Sequence, residues 1–347
     1  MFQTPMTELC VERLIDANLD RAREGLRVVE DWCRFGLNRK DLVISLKDWR
    51  QRLGHLHHSR YKRARSTAAD QGAGLSHPAQ GERITSEQVV AANCARVQEA
   101  LRVLEEFSRQ GDAELAETAA DIRYGLYDME VTVLQASQGM RRRNKLQTCR
   151  LYLITAPHNN LGGVVAAALE AGVGIVQYRS KDDTDHNRLQ QATELAALCR
   201  QQDALFIVND RIDLALAVDA DGVHLGQDDL PTEVARSLMG SERLIGRSTH
   251  CLAHLQRAES EGVDYLGVGP VNATPTKPNR QPVGLSYVEE AAQKASLPWF
   301  AIGGIDSSTL GDVRQAGAQR VAVVTAVIKA SDPGAASREL MAGLPCK

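Results

Sequence analysis

The second half of the chain alternates between short apolar segments and segments of helical pattern, and this alternation constrains the fold more than any other feature. Segments such as 189–200 and 252–261 have the composition of helices. Between the helical segments lie eight runs with the length and Val, Ile and Leu content of buried strands: 150–155, 174–179, 204–209, 222–225, 243–248, 264–269, 299–303 and 320–325. Eight such units predict a (β/α)8 barrel, the TIM barrel, whose active site lies at the carboxyl ends of its strands.

The length of the chain predicts two domains. A hydrophobic core rarely keeps growing beyond about 250–300 residues, and this chain has 347. Residues 1–135 are helical in pattern and rich in Arg and Glu. Residues 136–149 are polar and basic without an apolar period, which is typical of a linker. We therefore predict a helical domain at 1–135, a linker at 136–149 and the barrel at 150–347.

The first part contains an internal repeat, because residues 17–32 reappear as residues 92–107 at an offset of 75. In both copies the apolar residues are spaced alternately by four and three, as on the buried face of an amphipathic helix. These two apolar seams are Ile15, Leu19, Ala22, Leu26, Val29 and Cys33, and Val90, Cys94, Val97, Leu101 and Leu104. A second helix follows each copy, with Arg50 in the first echoed by Arg123 in the second. The repeat predicts an all-α bundle of two helix pairs with pseudo-twofold symmetry.

Polar residues of the repeated helix recur as well. Five of them occupy equivalent positions: Asn18, Arg21, Glu24, Arg27 and Glu30 in the first copy, and Asn93, Arg96, Glu99, Arg102 and Glu105 in the second. Charges three or four residues apart usually form a solvated face of weak ion pairs, each contributing about 0.2–0.5 kcal/mol. Solvation does not require the same residue at equivalent positions, however. A binding role, with the four arginines as phosphate ligands, is an alternative of equal weight.

Bulk composition indicates a soluble protein of the cytoplasm. The formal net charge of −3 gives no general reason to expect nucleic acid or an anionic membrane as a partner. We find no apolar run long enough to span a bilayer, and residues 1–10 do not have the pattern of a signal peptide. The seven cysteines are scattered and odd in number, which favours a reducing compartment. We expect small molecules as partners, and a homo-oligomer is compatible with the sequence.

Two carboxylates follow adjacent predicted strands. Asp210 comes directly after the third strand, and Asp229 comes shortly after the fourth. Because parallel strands of a barrel bring their carboxyl ends to one rim, these carboxylates are expected to lie close together. Mg²⁺ is typically held by one or two carboxylates, while waters and substrate phosphates complete its coordination. The sequence therefore predicts one Mg²⁺ ion per barrel, bound by Asp210 and Asp229.

The other strand ends supply cations, amides and glycine turns. Alternation along the second strand places Gln177, Arg179 and Lys181 on one face. Further polar residues at the strand ends or in the loops that follow are Asn209, His224, Gln227, Ser248, Thr274, Thr276 and Lys277. Gly303-Gly304 and Val324-Thr325 follow the last two strands, where barrels commonly bind phosphate. Each residue alone has a structural explanation, but their joint placement predicts a metal site, a cationic cluster and a separate phosphate site, and hence two phosphorylated substrates.

Together these residues resemble the thiamine-phosphate synthase family over essentially all of residues 150–345. The resemblance lies in seven motifs in order: Gln177-x-Arg179-x-Lys181, Asn209-Asp210, Gly226-Gln227-x-Asp229, Gly246-x-Ser248, Thr274-x-Thr276-Lys277, Ile302-Gly303-Gly304-Ile305 and Val324-Thr325. It implies a Mg²⁺-dependent transferase that joins hydroxymethylpyrimidine diphosphate to hydroxyethylthiazole phosphate, giving thiamine phosphate and pyrophosphate. The departures from the family pattern are Tyr178, Ser180, Asp228 and Thr325, and none of them removes a required functional group.

The resemblance and the predicted geometry imply a role for each residue. Asp210 and Asp229 would bind Mg²⁺, while Gln177 and His224 would face the pyrimidine. The diphosphate would be held by Arg179, Lys181, Asn209, Ser248 and Lys277, and the candidate catalytic residues among them are Arg179, Lys181, Ser248 and Lys277. The thiazole phosphate would be held by Thr274, Thr276, Gly304, Val324 and Thr325.

Other functions remain open for both parts of the chain. A thiazole tautomerase-like isomerase would share the barrel but would bind one phosphorylated thiazole, without paired aspartates or a diphosphate site. A non-catalytic sensor of thiamine precursors would have lost some ionic groups. Residues 1–135 resemble a domain fused to some bacterial thiamine-phosphate synthases, for which a hydroxymethylpyrimidine phosphate kinase role has been proposed. The sequence has no G-x-x-x-x-G-K-[ST] phosphate loop, and a bundle that mediates dimerisation is an equally weighted alternative.

Overall fold

A computed structural model describes residues 6–66, 82–274 and 281–345 of the chain. The chain divides into two compact units, Met1–Gln138 and Gly139–Lys347, and each is described by itself below. No helix within the described ranges combines the length and the apolar character that crossing a membrane requires.

The first unit is built from the predicted helices. Its elements are α1 (Met6–Asp31), a π-helical turn (Trp32–Gly36), α2 (Lys40–His55), α3 (Ser59–Ala64), α4 (Ser86–Ser108) and α5 (Ala113–Thr148), the last of which continues beyond Gln138. Helix α4 begins at a capping box, in which the Thr85 hydroxyl accepts a hydrogen bond from the Gln88 N–H. Every residue of the two predicted apolar seams is buried. Together with apolar residues of α2 and α5, the seams form one core.

Equivalent ion pairs connect the helices of each repeat. Arg50 of α2 donates to Glu30 of α1 over 2.8 Å, and Arg123 of α5 lies 2.9 Å from Glu105 of α4. Both acidic side chains are largely buried, which explains why the repeat retains a glutamate at these positions. The repeated Glu30 and Glu105 are therefore structural residues that join α1 to α2 and α4 to α5.

Arg27 and Arg102 also have structural partners. Arg27 donates to Asp31 one turn further along α1, at 2.9 Å, and Arg102 lies 2.6 Å from Glu106 at the equivalent place in α4. Both arginines are exposed, so these are the solvated i,i+4 pairs of the first interpretation. These pairs favour the solvated-face interpretation at Arg27 and Arg102, whereas a role as phosphate ligands stays a prediction at these two positions.

The second unit contains the predicted closed barrel. Its strands are β1 (Leu151–Ile154), β2 (Ile175–Tyr178), β3 (Leu205–Asn209), β4 (Gly222–Leu225), β5 (Leu244–Thr249), β6 (Tyr265–Val268), β7 (Trp299–Ile302) and β8 (Val321–Val323). The strands are parallel and pair in sequence order, and β8 pairs with β1 to close the barrel. All eight predicted strands are confirmed to within two residues at their ends. The last prediction ran too far, because Thr325 begins a short helix instead of ending the strand.

Helices surround the barrel and bury its outer surface. They are α6 (Leu161–Glu170), α7 (Asp185–Gln201), α8 (Ile212–Ala217), α9 (Thr232–Met239), α10 (Leu252–Ser260), α11 (Gly284–Lys294), α12 (Leu310–Gln315), α13 (Thr325–Ile328) and α14 (Pro333–Ala342). Outward-facing strand residues such as Leu153 and Val176 pack against these helices in the larger core. Inward-facing residues such as Tyr152, Tyr265 and Phe300 form a second cluster inside the barrel. Successive side chains of a strand point to opposite faces, so each barrel strand buries one set against the helices and the other inside the barrel.

The segment 136–149, predicted to be a linker, contains the division between the two units at Gln138, but it is helical through Thr148 and forms the end of α5. Leu146 is buried in the cluster inside the barrel, and Arg142 is buried against Asp221, to which it donates over 2.9 Å. Arg143 and Lys145 donate to Asp264 and Asp203. The sequence does not show a helical period here because Arg142 occupies a buried position of the helix where an apolar residue is expected. The Asp221 carboxylate neutralises its charge there.

Candidate active site

A cavity of about 560 Å³ lies at the carboxyl ends of the barrel strands. Twelve of the predicted site residues line it: Gln177, Arg179, Lys181, Asn209, Asp210, His224, Asp229, Ser248, Thr274, Gly304, Val324 and Thr325. Thr276 and Lys277 lie outside the described residues. The barrel geometry accounts for this convergence, because parallel strands direct the residues that follow them to one rim. We call this space the barrel cavity.

The two predicted metal ligands lie together in the barrel cavity. Asp210 has a φ of 62°, a left-handed conformation that turns the chain sharply after β3, and its N–H donates to the His224 carbonyl over 2.9 Å. Asp229 accepts a hydrogen bond from the Gly226 N–H over 2.6 Å, which holds its carboxylate at the carboxyl end of β4. Burial, together with the hydrogen bond and the negative charge of Asp229, raises the pKa of Asp210 to about 6.

A pair of carboxylates in one cavity has the chemistry of a site for a divalent cation. Two carboxylates in hydrogen-bonding contact resist ionising together, and a cation between them would remove that penalty. The described residues contain no cluster of three or more His, Cys, Asp or Glu side chains suited to a metal. Mg²⁺ does not need one, since waters and substrate phosphates usually supply most of its ligands.

Arg179 and Lys181 bring positive charge to the barrel cavity. Neither side chain forms an ion pair with any described residue, although Asp182 and Asp183 follow them directly. The neighbouring Arg188 and Arg211, in contrast, are both paired with Asp185 over 2.8 Å. The positive charge of Lys181 offsets part of the rise in the pKa of Asp210 that burial and Asp229 cause. Two cations are therefore available to an anionic substrate beside the carboxylate pair.

A buried chain of hydrogen bonds crosses the floor of the barrel cavity. Gln177 donates to the Tyr152 hydroxyl over 2.8 Å, and the hydroxyls of Tyr152 and Tyr265 lie 2.9 Å apart. His224 continues the chain, with Nδ1 3.3 Å from the Tyr265 hydroxyl and Nε2 2.9 Å from Ser248 Oγ. Burial raises the pKa of both tyrosines, which keeps their hydroxyls neutral. The chain fixes the orientations of Gln177, His224 and Ser248.

Tyr152 and Tyr265 were missed by the sequence analysis. Both are fully buried at inward positions of β1 and β6, and the alternation of those strands could have placed them there. Sequence patterns count tyrosine as an apolar strand residue, however, and give no sign that its hydroxyl meets a histidine. His250 also lines the barrel cavity and was not predicted. Gln227, one of the polar residues expected near the strand ends, also lines the barrel cavity and donates to the Ser248 carbonyl over 2.5 Å.

The glycine turn after β7 forms a separate part of the cavity wall. Gly303 and Gly304 have φ values of 108° and 59°, which favour glycine. A Cβ on Gly304 would lie 2.8 Å from Asn272 Cβ, so the turn has no room for a side chain there. Asn272 fixes the turn by donating to the Gly304 carbonyl over 3.1 Å. Thr325, the first residue of helix α13, lines the same cavity. Many barrels bind a phosphate with the loops that follow their seventh and eighth strands and with the start of a short helix.

Comparison with known proteins agrees with this geometry. The family model described as "Thiamine monophosphate synthase" matches residues 151–327, and the model of the ThiD2 family matches residues 13–132. A protein of Prochlorococcus marinus (strain MIT 9303) named "Thiamine-phosphate synthase" is 68% identical over 345 residues, which are 98% of each chain. A protein of the same name from Synechococcus sp. (strain WH7803) is 62% identical over 97% of each chain.

A solved structure supports the same relationship. The thiamine phosphate pyrophosphorylase from Pyrococcus furiosus is 38% identical, with a TM-score of 0.53, and the match covers 58% of this chain and 96% of that one. The closed barrel, the matching family model and the extent of identity lead to one conclusion. The chain belongs to the thiamine-phosphate synthase family and is a transferase.

Proposed function

We propose that the barrel condenses 4-amino-2-methyl-5-(diphosphomethyl)pyrimidine with 4-methyl-5-(2-phosphoethyl)thiazole to give thiamine phosphate and pyrophosphate, with one Mg²⁺ ion per barrel. The observation that carries this proposal is the combination in one cavity of a carboxylate pair, two unpaired cations and a separate glycine turn. Each substrate carries a phosphate group that needs its own binding place. Arg179 and Lys181 suit the diphosphate, and the turn at Gly303-Gly304 with Thr325 suits the thiazole phosphate.

The chemistry of the substrates explains why the reaction needs no nucleophilic side chain. The C–O bond to the diphosphate breaks at a benzylic-type carbon, where the electron-rich aminopyrimidine stabilises positive charge. The thiazole nitrogen then attacks that carbon with its lone pair, and pyrophosphate leaves with the bonding electrons. Mg²⁺ held by Asp210 and Asp229 would neutralise charge on the diphosphate. Arg179 and Lys181 would stabilise the departing anion, and Ser248, oriented by His224, would donate a hydrogen bond to it.

Neither the isomerase nor the sensor function accounts for all of the groups in the barrel cavity. A thiazole tautomerase-like isomerase would leave the carboxylate pair and the unpaired cations unused, whereas both are present in the cavity. A non-catalytic sensor predicts the loss of ionic groups, and every predicted group within the described residues lines the cavity. The synthase reaction is the function that uses all of these groups.

The test measures pyrophosphate release by the full-length protein with both substrates, across a range of Mg²⁺ concentrations. Asp210→Ala removes one carboxylate, and we expect turnover to fall below detection, because the diphosphate charge is no longer neutralised. Asp228→Asn is the matched control, since Asp228 lines the same cavity beside Asp229 and has no assigned role. Turnover by Asp210→Ala at the wild-type rate, with Mg²⁺ still required, would show that the metal lies elsewhere.

We also propose that residues 1–135 form a hydroxymethylpyrimidine phosphate kinase. The match to the ThiD2 family over residues 13–132 favours this function over a purely dimerising bundle. The terminal phosphoryl group of ATP would pass to a phosphate oxygen of hydroxymethylpyrimidine phosphate, leaving ADP and the diphosphate that the barrel consumes. The full-length protein should convert ATP and this monophosphate to ADP and the diphosphate. If a folded preparation shows no such turnover, the dimerising bundle becomes the better explanation.

A further inference from the structure

The repeated polar residues of the helical unit fall into two groups. Arg27, Arg102, Glu30 and Glu105 are paired with charged residues, as described above. The remaining repeated residues are Asn18, Arg21 and Glu24 on α1, and Asn93, Arg96 and Glu99 on α4. All six line one cavity of about 650 Å³ between α1 and α4. We call it the interhelical cavity.

The interhelical cavity reproduces the symmetry of the repeat. Each residue that α1 contributes to the lining has its equivalent, 75 residues later, in the lining from α4. The helices approach closely beside it, because a Cβ on Gly25 would lie 2.5 Å from Val97 Cγ2. Ala100, the equivalent of Gly25, is also small. The two halves of the repeat therefore build a single concave site, with a volume in the range of small-molecule pockets.

The charged side chains of this cavity are not paired with any residue that the structure describes. Within the part of the chain that the structure describes, Arg21, Glu24, Arg96 and Glu99 form no ion pair and no side-chain hydrogen bond. Arg27 and Arg102, one or two turns away on the same helices, are paired in the same structure. Asn18 and Asn93 are more than nine-tenths buried, and each donates to the carbonyl four residues earlier. Their amide oxygens are left as acceptors at the cavity.

We propose that the interhelical cavity binds a small organic phosphate together with a divalent cation. Arg21 and Arg96 bind the phosphate, because guanidinium groups form charge-assisted, bidentate bonds with phosphate oxygens. Glu24 and Glu99 hold the cation, which bridges to the phosphate in the way that Mg²⁺ is usually bound. Asn18 and Asn93 offer acceptors to amino groups of the organic part. The proposal deepens the kinase function and rests on it for the choice of ligand.

Residue-resolved arginine modification of the full-length protein tests the site. Phenylglyoxal reacts with accessible guanidinium groups, and peptide mass spectrometry separates Arg21 and Arg96 from the arginines of the barrel. With saturating hydroxymethylpyrimidine phosphate and Mg²⁺, we expect modification of Arg21 and Arg96 to slow by about tenfold, since charge-assisted bonds would cover both groups. Arg27 and Arg102, exposed on the same helices, should react at the same rate with and without the ligand. Unchanged rates at Arg21 and Arg96 would overturn the proposal.

Substitution provides a second measurement. Arg21→Gln and Arg96→Gln should each weaken binding of the monophosphate by about tenfold, whereas Arg27→Gln and Arg102→Gln should change it by less than about twofold. Circular dichroism establishes that each variant is folded. Protection of Arg21 and Arg96 without ATP turnover would keep the site and refute the kinase. Kinase turnover with unprotected arginines, or with full activity in Arg21→Gln and Arg96→Gln, would keep the kinase and refute this site.

Discussion

The end of helix α5 should be part of the folded barrel, and this can be tested by cutting the chain on either side of it. A fragment of residues 139–347 keeps the helical segment that contains Arg142, Arg143 and Leu146. A fragment of residues 150–347, which begins at the boundary predicted from the sequence, removes all three residues. We expect the longer fragment to fold and to retain synthase activity, and the shorter one to be much less stable.

The magnitude follows from the contacts that the cut removes. Leu146 is 1% exposed among the residues inside the barrel, and its burial contributes about 2–3 kcal/mol. Loss of Arg142 removes an ion pair from the partly buried Asp221 carboxylate, and the Phe206 N–H is the hydrogen-bond donor that remains to it among the described residues. A hydrogen bond between charged groups contributes about 1.5–3 kcal/mol. The total of about 5 kcal/mol is at least a third of the stability of a typical domain.

Urea unfolding measures the stability of each fragment, and pyrophosphate release per folded molecule measures its activity. Leu146→Ala in the 139–347 fragment should cost about 2–4 kcal/mol. Arg141→Ala, an exposed residue of the same helix, should cost less than about 0.5 kcal/mol. Equal midpoints for the two fragments would refute the reasoning. A loss of more than about tenfold in kcat/KM for the longer fragment would show that the barrel is not autonomous.

Two further changes test the barrel cavity. Gly304→Ala places a Cβ within 2.9 Å of the Ala273 carbonyl oxygen, at a residue with positive φ. The KM for the thiazole phosphate should therefore rise by about tenfold or more. An equal rise in the KM for the pyrimidine diphosphate would contradict the separation of the two phosphate sites. Tyr265→Phe removes the hydroxyl between Tyr152 and His224, and we expect a loss of about 1–2 kcal/mol of stability with a fall in kcat. Unchanged kcat in Tyr265→Phe, measured at saturating substrates, would show that the hydrogen-bond chain does not orient the catalytic groups.

The sequence was sufficient to predict the barrel because the spacing of apolar residues indicates directly which residues are buried. Each strand is a short and largely apolar run, and eight such runs separated by helices are compatible with few other folds. The same reasoning placed Asp210, Asp229 and Arg179 at one rim, since the carboxyl ends of parallel strands converge. The buried seams of α1 and α4 were equally readable from their alternating spacing.

Only the tertiary structure could decide how individual polar residues are used. Arg27 and Arg21 are both exposed arginines of one repeated helix, yet the first is paired with Asp31 and the second lines a cavity and has no ion-pair partner among the described residues. Arg142 is polar and lies inward because Asp221, far away in the sequence, neutralises it. Tyr152 and Tyr265 meet across the barrel through their hydroxyls. Sequence periodicity shows which side of an element is buried, but charge compensation and hydrogen bonding depend on partners that only folding brings together.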